Sequence, residues 1–200
     1  MDKKTARDSA KLRRLFLKDE EHPKKPIDSP KQYRYIKMQL SWEKVPEVLK
    51  KYQEKVELNP YSKNVKIEAL TEEKMQDFVQ IYNRILLTSP DPYREMQSEE
   101  GKFFKEGTFL ASLWWQPVGF MVLTVEHDEK EELVGAIAGL GVDHRHRRKG
   151  IGLALGLKAV EYFAEKKVKK LICEVYDQNK TSQRFIKSFG FEEYGEMFIS

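Results

Sequence analysis

The chain has a single cysteine, Cys173, and therefore cannot form a disulfide within itself. It contains no apolar run close to the ~20 residues that a membrane-spanning helix requires. Its first residues are polar and rich in lysine, so they lack the apolar core of a secretory signal peptide. These absences exclude a disulfide scaffold and a membrane-spanning helix, and we expect a cytoplasmic protein.

Charge is distributed unevenly along the 200 residues. Residues 1–63 contain 17 Lys and Arg against 10 Asp and Glu, whereas residues 64–200 contain 19 against 22. Residues 1–31 also contain three prolines and few apolar side chains, which is typical of a solvated, flexible arm. A basic arm can also attract nucleic acid, the ribosome or an acidic partner. We interpret residues 1–31 as a basic, flexible arm and leave such a contact open.

Hydrophobic periodicity predicts a single α/β domain after this arm. Strands are expected at residues 33–40, 65–70, 108–115, 117–126, 133–142, 168–175 and 191–199, and helices at 42–56, 71–86, 93–105, 150–163 and 179–189. This order predicts a mixed sheet with flanking helices, in which residues 32–63 form a strand–helix extension of a domain at 64–200. Trp114 and Trp115 would point to opposite faces of one strand, so at least one of them is expected in the core.

The segment from Val134 to Leu155 is the most informative part of the chain. A strand of small and apolar residues is followed by seven polar or charged residues, and Gly150 and Gly152 then begin a helix. The start of a helix exposes free backbone N–H groups and the positive end of the helix dipole. Glycine lets a phosphate approach those N–H groups, and the preceding arginines and lysine add positive charge. The segment therefore predicts a binding site for a polyanion.

Other interpretations of this turn are weaker. A dinucleotide-binding turn gains support from Glu174, 22 residues after Gly152, but its glycines would follow the strand directly. A basic surface loop with two glycines is the simplest alternative, since Gly-x-Gly alone is weak evidence. His144 and His146 have the spacing of metal ligands, but four neighbouring cations oppose a divalent ion, so we expect no metal.

The turn resembles the acetyl-CoA-binding motif of the GNAT superfamily of N-acetyltransferases, which has Arg or Gln, two residues, Gly, one residue, and Gly or Ala. Arg147, Gly150 and Gly152 occupy these positions. A second segment, beginning 32 residues after Arg147, resembles the family's Asn-x-x-Ala-x-x-Leu-Tyr-x-x-x-Gly-Phe pattern through Asn179, Ser182, Phe185, Gly190 and Phe191. The resemblance covers residues 64–199 in element order and is closest to the ribosomal-protein alanine acetyltransferases.

This resemblance implies an N-acetyltransferase domain with a mostly antiparallel, twisted sheet, and acetyl-CoA as the acetyl donor. It also implies that the strand end pairs with the pantetheine arm, that the turn binds the diphosphate, and that the second segment contacts the cofactor. The implied cofactor-binding residues are Leu140, Gly141, Val142, Arg147, Arg148, Lys149, Gly150, Ile151, Gly152, Asn179 and Ser182.

The same resemblance implies direct attack of a primary amine on the thioester, with a carboxylate that accepts the amine proton. Many family members carry this Glu in the strand before the turn, but residues 135–139 contain no ionisable group. Glu174 is the candidate catalytic base, because it matches the base of the ribosomal-protein alanine acetyltransferases; the alternative is a solvent-facing strand residue paired with a nearby Lys. Glu126 and His127 are weaker candidates for the base, since a turn explains both. The family's frequent Tyr, which protonates the departing CoA, is replaced by Ile186, so water, Tyr176 or Tyr194 would substitute.

The sequence thus predicts an N-acetyltransferase for a protein N-terminus, a lysine or a small amine, without selecting among them. The acceptor is expected between the helices of residues 71–106 and the C-terminal strands. The absent Tyr and strand Glu leave a second hypothesis open, a non-catalytic acyl-CoA-binding regulatory domain. The basic segments leave a third open, a nucleic-acid- or ribosome-associated protein. A homodimer is also left open, and we expect no membrane partner.

Overall fold

The computed structural model describes residues 33–86 and 106–199. The basic arm and the helix expected at 93–105 lie outside these residues, and both stay predictions. Within the described ranges the chain forms seven strands and four α-helices, with four short 3-10 turns between them.

The observed elements follow the expected order with small shifts at their ends. The strands are β1 (Tyr33–Ser41), β2 (Val65–Ala69), β3 (Thr108–Leu113), β4 (Gln116–His127), β5 (Leu133–Val142), β6 (Lys170–Tyr176) and β7 (Glu192–Ile199). The helices are α1 (Val45–Leu58), α2 (Met75–Leu86), α3 (Ile151–Lys166) and α4 (Lys180–Ser188). The 3-10 turns are Trp42–Lys44, Ser62–Asn64, Glu72–Lys74 and His144–His146.

All seven strands belong to one sheet in the order β2-β3-β4-β5-β6-β1-β7. Every neighbouring pair is antiparallel except β5 and β6, which run parallel, so the expected mixed, mostly antiparallel sheet is confirmed. The ladder between β5 and β6 ends at the pair Ile137 and Cys173, although β5 continues to Val142 and β6 to Tyr176. The two strands therefore diverge and open a gap in the middle of the sheet.

Strand β1 lies inside the sheet, paired with β6 on one side and β7 on the other. Its residues Met38 and Leu40 are buried in the main core. Helix α1 packs against α3 and against the end of α4. There Tyr52 stacks on Phe189 with 5.0 Å between ring centroids, and its hydroxyl donates a hydrogen bond to the carbonyl of Ser188. Residues 33–58 are thus part of the same sheet and core as the other residues that the structure describes.

Helices cover the two faces of the sheet. The larger core lies between the sheet and helices α1 and α3, and α2 covers the opposite face over β3, β4 and β5. The apolar residues of α2 recur at helical spacing, which places Phe78 and Tyr82 against Phe120 at centroid distances of 5.5 and 5.3 Å. Each such buried side chain contributes roughly 1.5–3 kcal/mol. In the ranges that the structure describes, no helix is both long and apolar enough to cross a bilayer.

The hairpin between β3 and β4 shows that the expectation for Trp114 and Trp115 was wrong. The two residues form a tight turn between Leu113 and Gln116, with φ angles of 48° and 71°. Positive φ at both central residues matches the twist of the flanking strands, although tryptophan adopts it rarely. Their side chains are 66% and 91% exposed. Neither lies in the core, because β3 and its alternation end at Leu113.

Candidate functional site

The turn between β5 and α3 ends in a conformation that glycine adopts most easily. Gly150 directly precedes Ile151, the first residue of α3, and has a φ of +78°. A Cβ atom at this position would lie 3.0 Å from Oγ of Ser62 and 3.2 Å from the side-chain amide nitrogen of Asn59. The loop after α1 therefore packs against the turn and helps to fix where α3 begins.

Asp143 organises the first half of the turn. Its buried carboxylate accepts hydrogen bonds from the backbone N–H of Arg145 at 3.0 Å and from the Arg145 guanidinium, with Nη2 2.7 Å from Oδ2. Arg84 of α2 lies 3.4 Å from the same carboxylate. The hydrogen bonds from Arg145, and then that from Arg84, hold the pKa of Asp143 well below its usual range. Arg145 is therefore an ion-pair partner of Asp143, whereas the sequence had suggested mobile charge for a polyanion.

The gap between β5 and β6 opens into a cleft with a volume of about 650 Å³. Strand ends, the turn and the first residues of α3 and α4 form its walls. Ten of the eleven residues expected to bind the cofactor line it: Leu140, Gly141, Val142, Arg147, Arg148, Gly150, Ile151, Gly152, Asn179 and Ser182. Lys149 is the exception, because its Nζ lies over the ring of Tyr61, 5.1 Å from the centroid.

Two helices begin at this cleft, α3 at Ile151 and α4 at Lys180. Asn179 caps α4, and its side-chain oxygen accepts a hydrogen bond of 3.1 Å from the backbone N–H of Ser182. Each helix start carries the positive end of a helix dipole. At α4 the N–H groups of Lys180 and Ser182 already donate to the carbonyl of Gln178 and the side chain of Asn179, so the start of α3 supplies most of the free N–H groups. The convergence of the two helix starts on one space is suited to an anion.

Two arginines add charge at the same end of the cleft. Nε of Arg147 donates a hydrogen bond of 3.0 Å to the carbonyl of Val142, the last residue of β5. This bond holds the guanidinium beside the strand end. Arg148 also lines the cleft and has a φ of 63°. The anion site therefore combines fixed backbone donors with two exposed guanidinium groups.

The cleft also contains residues to which the sequence assigned no cofactor contact: Ile85, Leu86, His146, Leu153, Tyr176, Gln178, Thr181 and Phe185. Burial, and next the charge of Lys149, lowers the pKa of His146, so its imidazole is neutral near pH 7. The sequence could have indicated Thr181, because it lies in the first turn of α4, a helix that the sequence predicted. Ile85 was not, because only tertiary packing brings α2 to the cleft. Within residues 33–86 and 106–199, no three His, Cys, Asp or Glu side chains are grouped as metal ligands.

Glu174, the candidate base, lies behind the cleft and does not line it. It is in β6, 9% exposed and beside Lys37 of β1 in the ladder. It contributes to a second cavity of about 120 Å³, which shares Leu140, Ser182 and Phe185 with the cleft. Strand alternation directs the Glu174 side chain to the face opposite its neighbours in β6. The structure thus brings Glu174 next to the residues expected to bind the cofactor, with its side chain on the other face of the sheet.

Tyr176 is the best placed of the substitutes for the absent proton donor. It lines the cleft and packs on Tyr35, with 5.7 Å between ring centroids. Burial, with a smaller effect from Asp177, raises the pKa of Tyr176, so the phenol stays protonated at neutral pH. Ile186 lines the second cavity, and Tyr194 is an exposed residue of β7. Tyr176 is therefore a residue of the cleft wall that carries a hydroxyl, although the expected position carries none.

Sequence comparison relates the chain to acetyltransferases. The profile of the acetyltransferase (GNAT) family matches residues 67–191. An uncharacterised N-acetyltransferase of Methanocaldococcus jannaschii is 30% identical over 142 residues, which are 66% of this chain and 62% of that protein. N-alpha-acetyltransferase 30 of Xenopus laevis is 32% identical over 90 residues, which are 45% of this chain and 33% of that protein. The chain therefore spans less than two thirds of the length of either relative.

Solved structures share the fold. An aminoglycoside N-acetyltransferase in complex with CoA has a TM-score of 0.59 at 16% identity, over 68% of this chain and 93% of that one. The ribosomal-protein alanine N-acetyltransferase of Escherichia coli has a TM-score of 0.52 at 19% identity, over 66% of this chain and 79% of that one. At these identities the likeness establishes the fold alone, and it agrees with the mixed, mostly antiparallel sheet that was expected.

Proposed function

Because the chain belongs to the GNAT family of N-acetyltransferases, we propose that it transfers an acetyl group from acetyl-CoA to the α-amine of a protein N-terminus. One observation carries the donor half of this proposal. Two helix starts converge on a cleft that opens where β5 and β6 diverge. A diphosphate suits the helix starts, and an extended amide-containing arm suits the strand edge beside them.

Different parts of the cleft would bind different parts of acetyl-CoA. The diphosphate would lie at the turn of residues 147–152, where backbone N–H groups and the guanidinium groups of Arg147 and Arg148 face an anion. The pantetheine arm would lie along residues 140–142, where the ladder between β5 and β6 has already ended. The thioester would then point toward the apex of the gap. Asn179 and Ser182 would contact the arm from the opposite wall, at the start of α4.

Acetyl transfer at this apex needs one base and a stable leaving group. The neutral amine nitrogen attacks the thioester carbon, a C–N bond forms, and the C–S bond breaks. Glu174 would accept the proton that the amine loses, directly or through a water molecule. The sulfur leaves as a thiolate, since a thiol has a pKa of only about 8.5, or takes a proton from Tyr176. A backbone N–H of β5 beyond the end of the ladder would stabilise the negative carbonyl oxygen.

The chemistry favours an α-amine over a lysine side chain as the acceptor. An α-amine has a pKa of about 7.7–8.0 and is partly neutral at physiological pH, whereas a lysine side chain, at about 10.4, is almost entirely protonated. A site whose candidate base lies behind the cleft and whose expected Tyr is Ile186 suits the less demanding acceptor. The name of the Xenopus laevis relative, an N-alpha-acetyltransferase, points to the same class.

Two peptides test this proposal. One has a free N-terminus and no lysine, and the other has a blocked N-terminus and one internal lysine. We expect acetyl-CoA to release CoA with the first peptide, and mass spectrometry to locate the acetyl group on its α-amine. Transfer to the lysine peptide alone would overturn the choice of acceptor. Binding of acetyl-CoA with no transfer to any peptide or small amine would support the regulatory-domain alternative.

A further inference from the structure

The turn between β3 and β4 presents two tryptophans to solvent in a conformation that suits other residue types. Trp114 and Trp115 have φ angles of 48° and 71°, and their side chains are largely exposed. Turns of this kind usually contain Asn and Gly, because a residue with a Cβ atom adopts positive φ at a cost in free energy. The two indoles lie outside the core and strain their own turn. Side chains held in this way are expected to serve binding, since folding gains nothing from them.

A third ring and two lysines lie beside this turn. The ring of Tyr61 is 6.2 Å from that of Trp114, with 59° between their planes, and Nζ of Lys149 lies 5.1 Å from the centroid of Tyr61. The ladder between β2 and β3 joins the first residue of β2 to the residue before the tryptophan turn. This pairing brings the 3-10 turn that contains Lys63 beside the tryptophans. We call Tyr61, Lys63, Trp114, Trp115 and Lys149 the aromatic surface, and none of the five lines the cleft.

The aromatic surface lies in a positively charged region. Residues 57–66, 112–118 and 143–150, which supply the surface and its surroundings, contain six Lys and Arg against two Asp and Glu. One of the two acids, Asp143, is buried and already paired with arginines. Among the residues that the structure describes, neither Lys63 nor Lys149 forms an ion pair with Asp or Glu. A partner that fits this surface therefore carries negative charge and also offers flat, apolar groups.

The basic N-terminal residues join the fold at the same end of the sheet. Strand β1 begins beside the end of β6, where Tyr35 pairs with Tyr176. Strand β6 runs parallel to β5, and the end of β5 pairs with the start of β4, just after the tryptophan turn. Residues 1–31 contain 10 Lys and Arg against 6 Asp and Glu. Further positive charge is thus attached at the end of the sheet that carries the aromatic surface.

Aromatic rings interleaved with cations are typical of surfaces that bind single-stranded nucleic acid. Bases stack on the rings, whereas Lys and Arg contact the phosphates. Unpaired bases that proteins recognise by stacking are a property of the loops, bulges and ends of RNA. An anionic membrane also combines negative charge with apolar groups, but entry into its interface takes a continuous apolar face. Gln116, directly after the tryptophan turn, and Asn64, directly before β2, are exposed polar amides, so the chemistry favours RNA.

We propose that the aromatic surface binds single-stranded RNA, with bases stacked on Trp114 and Trp115 and phosphates beside Lys63 and Lys149. This inference goes beyond the proposed function and does not depend on it, since no residue of the surface lines the cleft. It also gives a role to Lys149, whose side chain is directed to Tyr61 and away from the cleft. RNA and CoA would bind to the same protein at separate places.

A double variant that relieves the strained turn tests the proposal without a risk to the fold. Trp114→Asn with Trp115→Gly introduces the residue pair that this turn prefers, so the variant should melt at an equal or higher temperature. We expect fluorescence anisotropy at about 50 mM salt to give the wild type a micromolar Kd for a labelled RNA of about 12 nucleotides, and the variant to bind at least tenfold more weakly. Phe198→Ser, which removes an exposed ring at the opposite edge of the sheet, is the matched control and should keep the wild-type affinity.

A lysine variant tests the contact with phosphate separately from the stacking. Lys63→Gln should lower the slope of log Kd against log salt concentration by about 0.7, the value for one phosphate of a single strand. Lys158→Gln, on the exposed face of α3, is the control and should leave the slope unchanged. An equal change in both variants would show that the protein attracts RNA only through its overall charge, and would overturn the assigned site.

The remaining outcomes also decide the proposal. Equal RNA affinity in the wild type and the folded double variant, or no binding of RNA to the wild type, would overturn it. Binding to vesicles of phosphatidylserine and phosphatidylcholine that the double variant loses, without binding of RNA, would assign the surface to a membrane instead. Calorimetry with CoA should give equal affinities for the wild type and the double variant, so failure of this proposal is distinguishable from failure of the proposed function.

Discussion

The two ends of the cleft are built in different ways. The turn end of the cleft, where we propose that the diphosphate binds, comes mainly from one continuous stretch, residues 142–152, and its donors are backbone N–H groups at a helix start. The apex comes from β5, β6, α3 and α4, with Glu174 behind it in β6 and β1 alongside. Backbone donors depend on conformation, whereas proton transfer depends on single side chains. Changes at the first end should therefore alter binding, and changes at the second should alter turnover.

Replacement of the candidate base should have the largest effect and gives the sharpest test of this division. Glu174→Gln keeps the size of the side chain but removes the proton acceptor. We expect kcat to fall on the order of 100-fold or more, while the Kd for acetyl-CoA changes less than twofold. Steady-state kinetics with an N-terminal peptide, together with calorimetry, measures both quantities.

Glu126→Gln is the matched control for this variant. Glu126 is also a buried glutamate, in β4, and does not line the cleft or the cavity behind it. It should keep kcat within a few-fold of wild type. Equal losses in the two variants, or a loss of affinity without a loss of kcat in Glu174→Gln, would break the proposed division between binding and chemistry.

Asp143 should account for the next largest effect, on the stability of the turn. Its pKa is lowered in the folded state, so it stabilises the protein above its unfolded pKa of about 3.9 and loses this contribution as pH falls below that value. Asp143→Asn removes the charge that Arg145 and Arg84 contact, and should reduce the free energy of unfolding by about 1.5–3 kcal/mol at neutral pH. Denaturant titrations at several pH values measure this.

The difference between wild type and Asp143→Asn should shrink as the pH falls below about 4. A constant difference over that range would show that the carboxylate charge does not stabilise the turn. Lys158→Gln is the comparison on the exposed face of α3, because it removes only a surface ion pair with Glu161. It should change stability by about 0.5 kcal/mol or less.

A pair of glycines isolates the contribution of backbone conformation to binding. Gly150 and Gly190 both have positive φ, at 78° and 84°, but only Gly150 lines the cleft. Alanine at either position should destabilise the fold by roughly 1–2 kcal/mol. Only Gly150→Ala should also lower the affinity for CoA, by about tenfold. The added Cβ would push the first turn of α3 away from Ser62 and Asn59. Calorimetry and thermal melts separate the two effects, and equal CoA affinity in both variants would contradict the role of the turn.

The cap of α4 should give the smallest effect. Asn179→Ala removes the hydrogen bond to the N–H of Ser182 and should cost about 1 kcal/mol of stability, with a few-fold loss of CoA affinity. Thr71→Ala is the control, since Thr71 precedes the 3-10 turn before α2 and its side chain makes no capping hydrogen bond there. Similar losses of affinity in both variants would show that the start of α4 does not contribute to CoA binding.

The sequence predicted which residues line the turn end of the cleft far better than it predicted the apex, and the reason is physical. The features of the turn are local, because Gly150, Gly152 and the preceding strand are close in sequence and their conformation depends on neighbours. Ten of the eleven expected residues line the cleft. Lys149 does not, because its side chain lies over Tyr61. The two residues are about ninety positions apart, so no local pattern predicts this contact.

Features that depend on tertiary packing could not be predicted from the sequence. The sequence identified the strand in residues 33–40 but not its place between β6 and β7, because register and neighbour are decided across the whole chain. It missed the cavity behind the cleft for the same reason. The sequence pattern placed Trp114 and Trp115 in a strand, because aromatic residues favour strands. In the structure they form the two-residue turn that follows the strand.

The most direct test of the central claim compares CoA with pantetheine, which has the same thiol arm but lacks the diphosphate and adenosine. If the turn of residues 147–152 and the start of α3 bind the diphosphate, calorimetry should give a 1:1 complex with CoA that is on the order of 100-fold tighter than that with pantetheine and weakens with added salt. Equal affinities for the two compounds, or no detectable binding of CoA, would contradict the account.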